Sequence, residues 1–103
     1  MALTKSYRET VLKRIQGDPA FARALYAEAV TAILNGETAV GLSQLRDIVH
    51  ALVTFPELSR ITGVNEKSLH RTLSAHGNPT TATLGRITSG IREATGHAPR
   101  LAV

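Results

Sequence analysis

Cysteine and tryptophan are absent from this 103-residue chain, and its only aromatic residues are Tyr7, Phe21, Tyr26 and Phe55. Without cysteine, the chain can form neither a disulfide framework nor a thiolate metal site, and it has no cysteine nucleophile. With so few aromatic rings, Leu, Ile, Val and Ala must supply most of the core, which favours closely packed helices. A chain of this length has room for one such domain.

Long apolar runs are absent as well. No run approaches the roughly 20 residues needed to cross a bilayer, and the segment Met1 to Tyr7 has no apolar core of the kind that directs secretion. We therefore expect a cytoplasmic protein with no membrane partner. The charge balance is positive, with a formal net charge of +4. Such a balance favours a polyanionic partner without identifying one.

Helix caps and glycines divide the front of the chain, residues 6–53, into three predicted helices. Each has apolar residues recurring every three or four positions, and the first two end at a glycine or an Asn-Gly pair. The predicted ranges are 6–17, 19–34 and 38–53. In the second and third helices, Leu34 and Val40 belong to apolar stripes that are expected to face the core.

The densest group of caps and glycines lies in residues 54–75 and predicts a helix-turn-helix. Thr54 and Glu57 have the spacing of a capping box for one short helix, and Asn65 can cap the next. Gly63 lies between the two helices, where a tight turn needs a permissive backbone. Two short helices joined in this way are typical of the motif.

Side chains on the second of these helices are expected to divide between the core and DNA. Leu69, Thr72 and Leu73 face the scaffold, whereas Lys67 and Arg71, four residues apart, share the outer face and can reach base edges or phosphates. The predicted DNA-contacting residues are Asn65, Lys67, Ser68, His70, Arg71, Ser74, Asn78 and Thr80, the last two at an adjoining phosphate.

After the helix-turn-helix, the chain is predicted to form a closing helix over residues 80–95 and a tail over residues 96–103. Leu101 to Val103 are apolar enough for a short strand, which would need a partner strand. The whole chain is therefore predicted to be a single all-α domain, residues 1–103.

An enzyme is not expected from this sequence. The four histidines have no metal-ligand spacing with one another, and the chain has no glycine-rich phosphate loop and no nucleophile motif. The histidines are His50, His70, His76 and His97. We therefore predict no catalytic residues, no cofactor and no metal.

The segment Glu57–Thr80, ELSRITGVNEKSLHRTLSAHGNPT, resembles the addiction-module antidote branch of the lambda-repressor-like helix-turn-helix proteins. These proteins are the antitoxins of some bacterial toxin–antitoxin pairs. The matching features are a Leu-small pair, Thr-Gly at the turn, Ser-Leu and Arg-x-Leu-Ser in the recognition helix, and Gly-Asn-Pro-Thr after it. The front segment, SYRETVLKRIQGDPAFARALYAEAV, is similar in its Tyr-Arg start and its Asp-Pro helix break. Departures at Ser59, at Glu66-Lys67 and at Phe55-Pro56 mean that the operator sequence does not carry over.

The resemblance implies a five- or six-helix lambda-repressor-like domain that forms a homodimer and binds double-stranded DNA at an operator of its own operon. It also implies that a small toxin is a frequent partner. The predicted function is sequence-specific regulation of transcription, as a repressor and antitoxin acting at a palindromic site. The alternative is a helical protein-interaction module that binds a toxin or another protein without binding DNA. In that case the two short helices would serve only to pack the domain, and Lys67 and Arg71 would form an ordinary solvated face.

Overall fold

The computed structural model describes residues 5–98, and all of the regular structure in that range is helical. The helices are α1 (Lys5–Gly17), α2 (Pro19–Leu34), α3 (Thr38–Ile48), α4 (Phe55–Thr62), α5 (Glu66–Thr72) and α6 (Thr81–Thr95), and a π-helical turn (Val49–Val53) continues α3. The predicted all-α class is confirmed. The strand predicted at Leu101 to Val103 lies outside the described residues.

Local hydrogen bonds explain why α2 begins and ends where the sequence predicts. Asp18 Oδ1 accepts a hydrogen bond from the Phe21 backbone N–H at 3.0 Å, and Pro19 occupies the first helical position. At the other end, Asn35 caps the helix and Gly36 has a φ of +88°, which reverses the chain toward α3. These caps fix the connection between α2 and α3, which pack against each other.

Gly41 allows the backbones of α2 and α3 to touch. A Cβ atom at this position would lie 2.5 Å from the carbonyl oxygen of Ala29 and 2.5 Å from Cγ1 of Ile33. Such distances are well inside van der Waals contact, so no larger residue fits without moving the helices apart. The helix pair that forms the front of the core therefore depends on this glycine.

The predicted third helix is not one α-helix from residue 38 to residue 53. Its α-helical part ends at Ile48, and Val49–Val53 form the π-helical turn, closed by a 2.7 Å hydrogen bond from Thr54 N–H to Val49 O. Because Thr54 N–H is used there, the predicted capping box forms only in part. Thr54 Oγ1 accepts from Glu57 N–H at 3.4 Å, but the Glu57 carboxylate accepts from Arg60 Nε at 3.0 Å instead of reaching back.

Thr54 has a strained backbone, with φ +80° and ψ 150°, and is the one non-glycine residue of the described chain with positive φ. This region is almost restricted to glycine and costs other residues about 1–3 kcal/mol. We therefore expect Thr54→Gly to raise the free energy of unfolding by about 1 kcal/mol, because relief of strain outweighs the lost cap and the greater freedom of the unfolded chain. Urea denaturation measures this change.

The control for this variant is Thr54→Ala, which removes the capping oxygen but keeps a Cβ atom at positive φ. It should lower the stability by about 1 kcal/mol. A Thr54→Gly variant that is less stable than the wild type would show that the strain is smaller than the contribution of the cap.

The core is one cluster that joins the front of the chain to the helix-turn-helix. Its members come from α2 to α6 and from the π-helical turn, and the most completely buried include Leu42, Leu45, Val49, Leu58, Leu69, Leu73, Ile87 and Ile91. The prediction that Leu34 and Val40 face this core is wrong, since they are 66% and 51% exposed. Both lie beside the exposed connection at residues 35–37, beyond the end of the cluster.

Candidate nucleic-acid interface

The turn between α4 and α5 is closed by hydrogen bonds from its own residues. Gly63 adopts the left-handed conformation, with φ +73°, and its N–H donates to Ser59 O at 2.9 Å. Ser59 Oγ donates to Val64 O at 2.7 Å, and Val64 N–H donates to Thr62 Oγ1 at 3.2 Å. The turn therefore forms where the sequence predicts it, and Ser59 contributes a hydrogen bond as well as a small side chain.

Asn65 caps α5, as predicted. Its Oδ1 accepts hydrogen bonds from the backbone N–H groups of Lys67 at 2.9 Å and Ser68 at 3.4 Å. The amide oxygen is therefore engaged within the protein. The amide nitrogen of this exposed residue is the group that it can offer to a ligand.

α5 is anchored in the core through Leu69 and through Leu73, the C-cap residue directly after the helix, both fully buried. α5 packs against α4, which in turn lies close to α6 at Gly90. A Cβ atom at Gly90 would lie 2.7 Å from Leu58 Cδ1 and 2.9 Å from Thr62 Cγ2. The close approach at Gly90 was not predicted, because a glycine within a helix gives no indication of what lies beside it. This packing fixes the direction in which the outer face of α5 points.

The outer face of α5 carries two free positive charges. Lys67 and Arg71 are exposed, and within residues 5–98 neither side chain forms a hydrogen bond or an ion pair. Arg60 on α4 differs, because it is bonded to Glu57, and this hydrogen bond lowers the pKa of the Glu57 carboxyl group. Lys67 and Arg71 are therefore positioned to meet an anionic ligand without first breaking an internal contact.

His70 is exposed but not free, because its ring belongs to a cluster that the sequence did not predict. It stacks on Phe55 with ring centroids 3.8 Å apart and an interplanar angle of 13°. The ring of His50 lies 4.7 Å from Phe55 and 6.1 Å from His70. His70 Nε2 is also 3.8 Å from Glu66 Oε1. We call His50, Phe55 and His70 the ring cluster.

The position of His50 makes it a weaker base than an ordinary histidine. Partial burial lowers the pKa of its imidazole, and the positive charges of Arg8 and Arg46 and the neighbouring His70 lower it further, while Asp47 acts in the opposite direction. The folded protein therefore binds a proton at His50 less tightly than the unfolded chain does. The neutral imidazole of His50 therefore contributes to the free energy of unfolding above about pH 6.5, the ordinary pKa of histidine. This contribution is lost as the pH falls below that value.

The other predicted contact residues lie at the two ends of α5 and in the connection to α6. Ser68 is half-buried near the start of the helix, and Ser74, also half-buried, donates from Oγ to Arg71 O at 2.7 Å. Asn78 is exposed, and Thr80 caps α6 by accepting from Thr83 N–H at 3.1 Å.

Gly77 holds this connection against the end of α5. A Cβ atom there would lie 1.9 Å from the carbonyl oxygen of Thr72, so the backbone passes directly beside the last turn of the helix. Asn78 follows immediately and is therefore near the C-terminal end of α5.

Comparison of the chain with protein-family models, curated proteins and solved structures finds no match. Over the part of the chain that the structure describes, no group of three or more His, Asp or Glu residues is arranged to hold a metal ion. No helix in the same range is long and apolar enough to cross a bilayer. The function must therefore be inferred from the geometry of the site and from the sequence.

Proposed function

We propose that this protein is a sequence-specific DNA-binding regulator of transcription that inserts α5 into the major groove. The observation that carries the proposal is the division of α5 into two faces. Leu69 and Leu73 are fully buried, while Lys67 and Arg71 are exposed and bound to nothing in the described chain. A rigidly mounted helix with free cations on its outer face has the form of a recognition helix.

The side chains of this face suit both kinds of DNA contact. Arg71 has a planar guanidinium that can donate two hydrogen bonds to a guanine edge, and Lys67 can contact either a base or a phosphate. Ser68 and the amide nitrogen of Asn65 add short donors near the start of the helix. Asn78, held near the other end by Gly77, and Thr80 contact the phosphate backbone and fix the register.

We further propose that the protein is an antitoxin of the addiction-module antidote type, a bacterial cytoplasmic repressor of its own operon that binds a small toxin. Support comes from the six helices of the described chain, from the turn at Thr62-Gly63 and from the cap at Asn65, which agree with the sequence pattern of that branch. A two-fold homodimer would present two α5 helices about 34 Å apart, one turn of DNA, and would match a palindromic operator.

A second candidate function is a protein-interaction module that binds a toxin or another protein without DNA. Two observations favour it. Leu34 and Val40 are large apolar side chains that remain exposed, and a shallow cleft of about 590 Å³ lies between α4 and α6, with Arg86 and Glu93 among its lining residues. Both surfaces are outside α5, so a partner bound there would not by itself compete with DNA.

Selection of bound duplexes from a random pool, followed by affinity measurements at several salt concentrations, tests the proposal. We expect one palindromic sequence to be enriched. With about six phosphate contacts for a dimer, its affinity should fall roughly 1,000-fold between about 50 and about 200 mM salt, because bound counterions are released. No enrichment, together with an affinity that does not change with salt, would favour the protein-interaction module.

A further inference from the structure

We infer that Arg46 and His50 form a second DNA-contacting site, outside α5, which holds one phosphodiester group of the duplex beside the groove that α5 enters. The inference rests on the proposed function and deepens it, because it adds contacts that the recognition helix does not supply. Its basis is an arginine that the fold leaves without an acceptor next to the ring cluster.

Arg46, on α3, is half-buried and has no partner for its guanidinium. Its Nε atom is buried without a hydrogen bond, and among the residues that the structure describes the side chain enters no ion pair. The terminal nitrogens are not buried in this way, so they reach the surface. A guanidinium that is partly removed from water interacts more strongly with an anion that reaches those nitrogens.

The carboxylate next to Arg46 in the sequence is already engaged. Asp47 Oδ1 accepts a hydrogen bond from Arg8 NH2 of α1 at 3.1 Å. The charge of Arg8 is therefore balanced by a neighbour, whereas that of Arg46 is not. Because arginine is the side chain best suited to bind phosphate groups, an arginine left without a carboxylate favours an anionic ligand.

His50 connects Arg46 to the binding side of α5. Its imidazole has a lowered pKa, chiefly because of partial burial and the charge of Arg8. Arg46, four positions earlier, also lowers this pKa, so its positive charge lies close to the ring. On the other side, the ring centroid of His50 is 6.1 Å from that of His70, which follows Lys67 by three residues on α5. The basic surface of α5 therefore continues through the ring cluster to Arg46.

The two side chains suit a phosphodiester better than a base edge. Arg46 supplies a positive charge and forked N–H donors, and the exposed imidazole of His50 can donate one further N–H. A duplex with α5 in its major groove presents its sugar-phosphate backbone to the elements that flank the helix. DNA is favoured over an acidic protein as the occupant, because this site and the cations of α5 share one surface.

The first test is the affinity of Arg46→Met for the selected duplex. Methionine keeps a long unbranched stem but has neither charge nor donor. We expect binding to weaken about tenfold or more, by the same factor for the selected duplex and for one with a changed base pair, because a phosphate contact carries no sequence information. The slope of log affinity against log salt should become shallower by about 2 in the proposed dimer, one contact for each protomer.

Thermal unfolding separates a ligand-binding role of Arg46 from a structural one. The Tm of Arg46→Met should be unchanged or higher, because the variant removes a buried donor that has no acceptor. Arg46→Lys, which keeps the charge but not the forked donors, should recover part of the affinity. A lower Tm in Arg46→Met, with no recovery of affinity in Arg46→Lys, would assign Arg46 a structural role and overturn the inference.

The matched control is Arg23→Met, which makes the same substitution at an exposed position on α2. It should weaken binding only a few-fold, since it removes long-range attraction and no contact. Equal losses in Arg23→Met and Arg46→Met would show that only net charge matters and would overturn the inference.

Neutral methylphosphonate groups, placed one at a time in the selected duplex, locate the contact. The wild type should lose affinity at one position beside the base pairs that α5 reads, and Arg46→Met should lose nothing more at that position. His50→Phe keeps a ring against Phe55 but cannot donate a hydrogen bond, so it should also bind the unmodified duplex more weakly. Wild-type affinity in His50→Phe would remove His50 from the site.

The outcomes separate this inference from the proposed function. Wild-type affinity and salt dependence in Arg46→Met overturn the inference and leave recognition by α5 standing. If inorganic phosphate raises the Tm of the wild type but not of Arg46→Met, while DNA affinity is equal in both, the site takes a free anion and the inference is wrong. Absence of DNA binding by the wild type overturns both.

Discussion

Replacing Lys67 and Arg71 together by Ala is expected to lower the affinity for the selected duplex by about 100-fold or more. Each lost contact to a base edge or phosphate removes about 1–3 kcal/mol of binding free energy. The free energy of unfolding should hardly change, because both side chains are exposed and bond to nothing else in residues 5–98. Fluorescence anisotropy with labelled duplex measures the first quantity, and urea denaturation the second.

The matched control for this variant is Lys13→Ala combined with Arg23→Ala. It removes two positive charges from exposed positions on α1 and α2. These two helices pack against each other; in addition, α1 packs against the π-helical turn and α2 packs against α3. A general loss of positive charge should weaken binding only a few-fold, through long-range attraction that salt screens. If the two double variants bind DNA equally well, α5 is not the recognition helix.

Gly41→Ala is expected to lower the free energy of unfolding by about 2–3 kcal/mol, although alanine is the better helix former. The added methyl group would lie 2.5 Å from the Ala29 carbonyl oxygen, which is backbone and cannot rotate away as a side chain can. α2 and α3 would have to separate, and the core between them would lose contacts on both sides. The midpoint of urea denaturation reports this change.

Gly85→Ala provides the comparison, since it makes the same substitution within a helix, α6, at a position where no other atom is close. A Cβ atom at Gly85 meets nothing within 4 Å, so only the helix propensity changes. That variant should gain about 0.5–1 kcal/mol of stability. Changes of the same sign in both variants would show that the close contact at Gly41 does not control the spacing of the helices.

Much of the helical framework could be predicted because its boundaries depend on residues that are neighbours in the sequence. Asp18, Gly63 and Asn65 each form the cap or turn expected of them, with partners at most four residues away. The division of α5 between the buried Leu69 and the exposed cations follows from helical periodicity in the same way. Such short-range bonds are specified locally, and the sequence therefore predicts them well.

The features that escaped prediction depend on residues brought together by the fold. Nothing near Gly41 or Gly90 in the sequence indicates that another helix passes within contact distance. The stacking of His70 on Phe55 requires the actual angle between α4 and α5, and His50 joins them only because the π-helical turn redirects the chain. From the sequence, His70 was therefore predicted only as one of several DNA-contacting residues.

The turn between α4 and α5 is shaped by hydrogen bonds that run from Ser59 to the cap at Asn65. None of these bonds uses the side chain of Lys67 or Arg71, and Lys67 contributes only its backbone N–H. Substitutions at those two positions can therefore accumulate during evolution without a penalty in folding. If α5 reads an operator as proposed, descendants of one ancestral chain could come to read different operators while keeping the same scaffold.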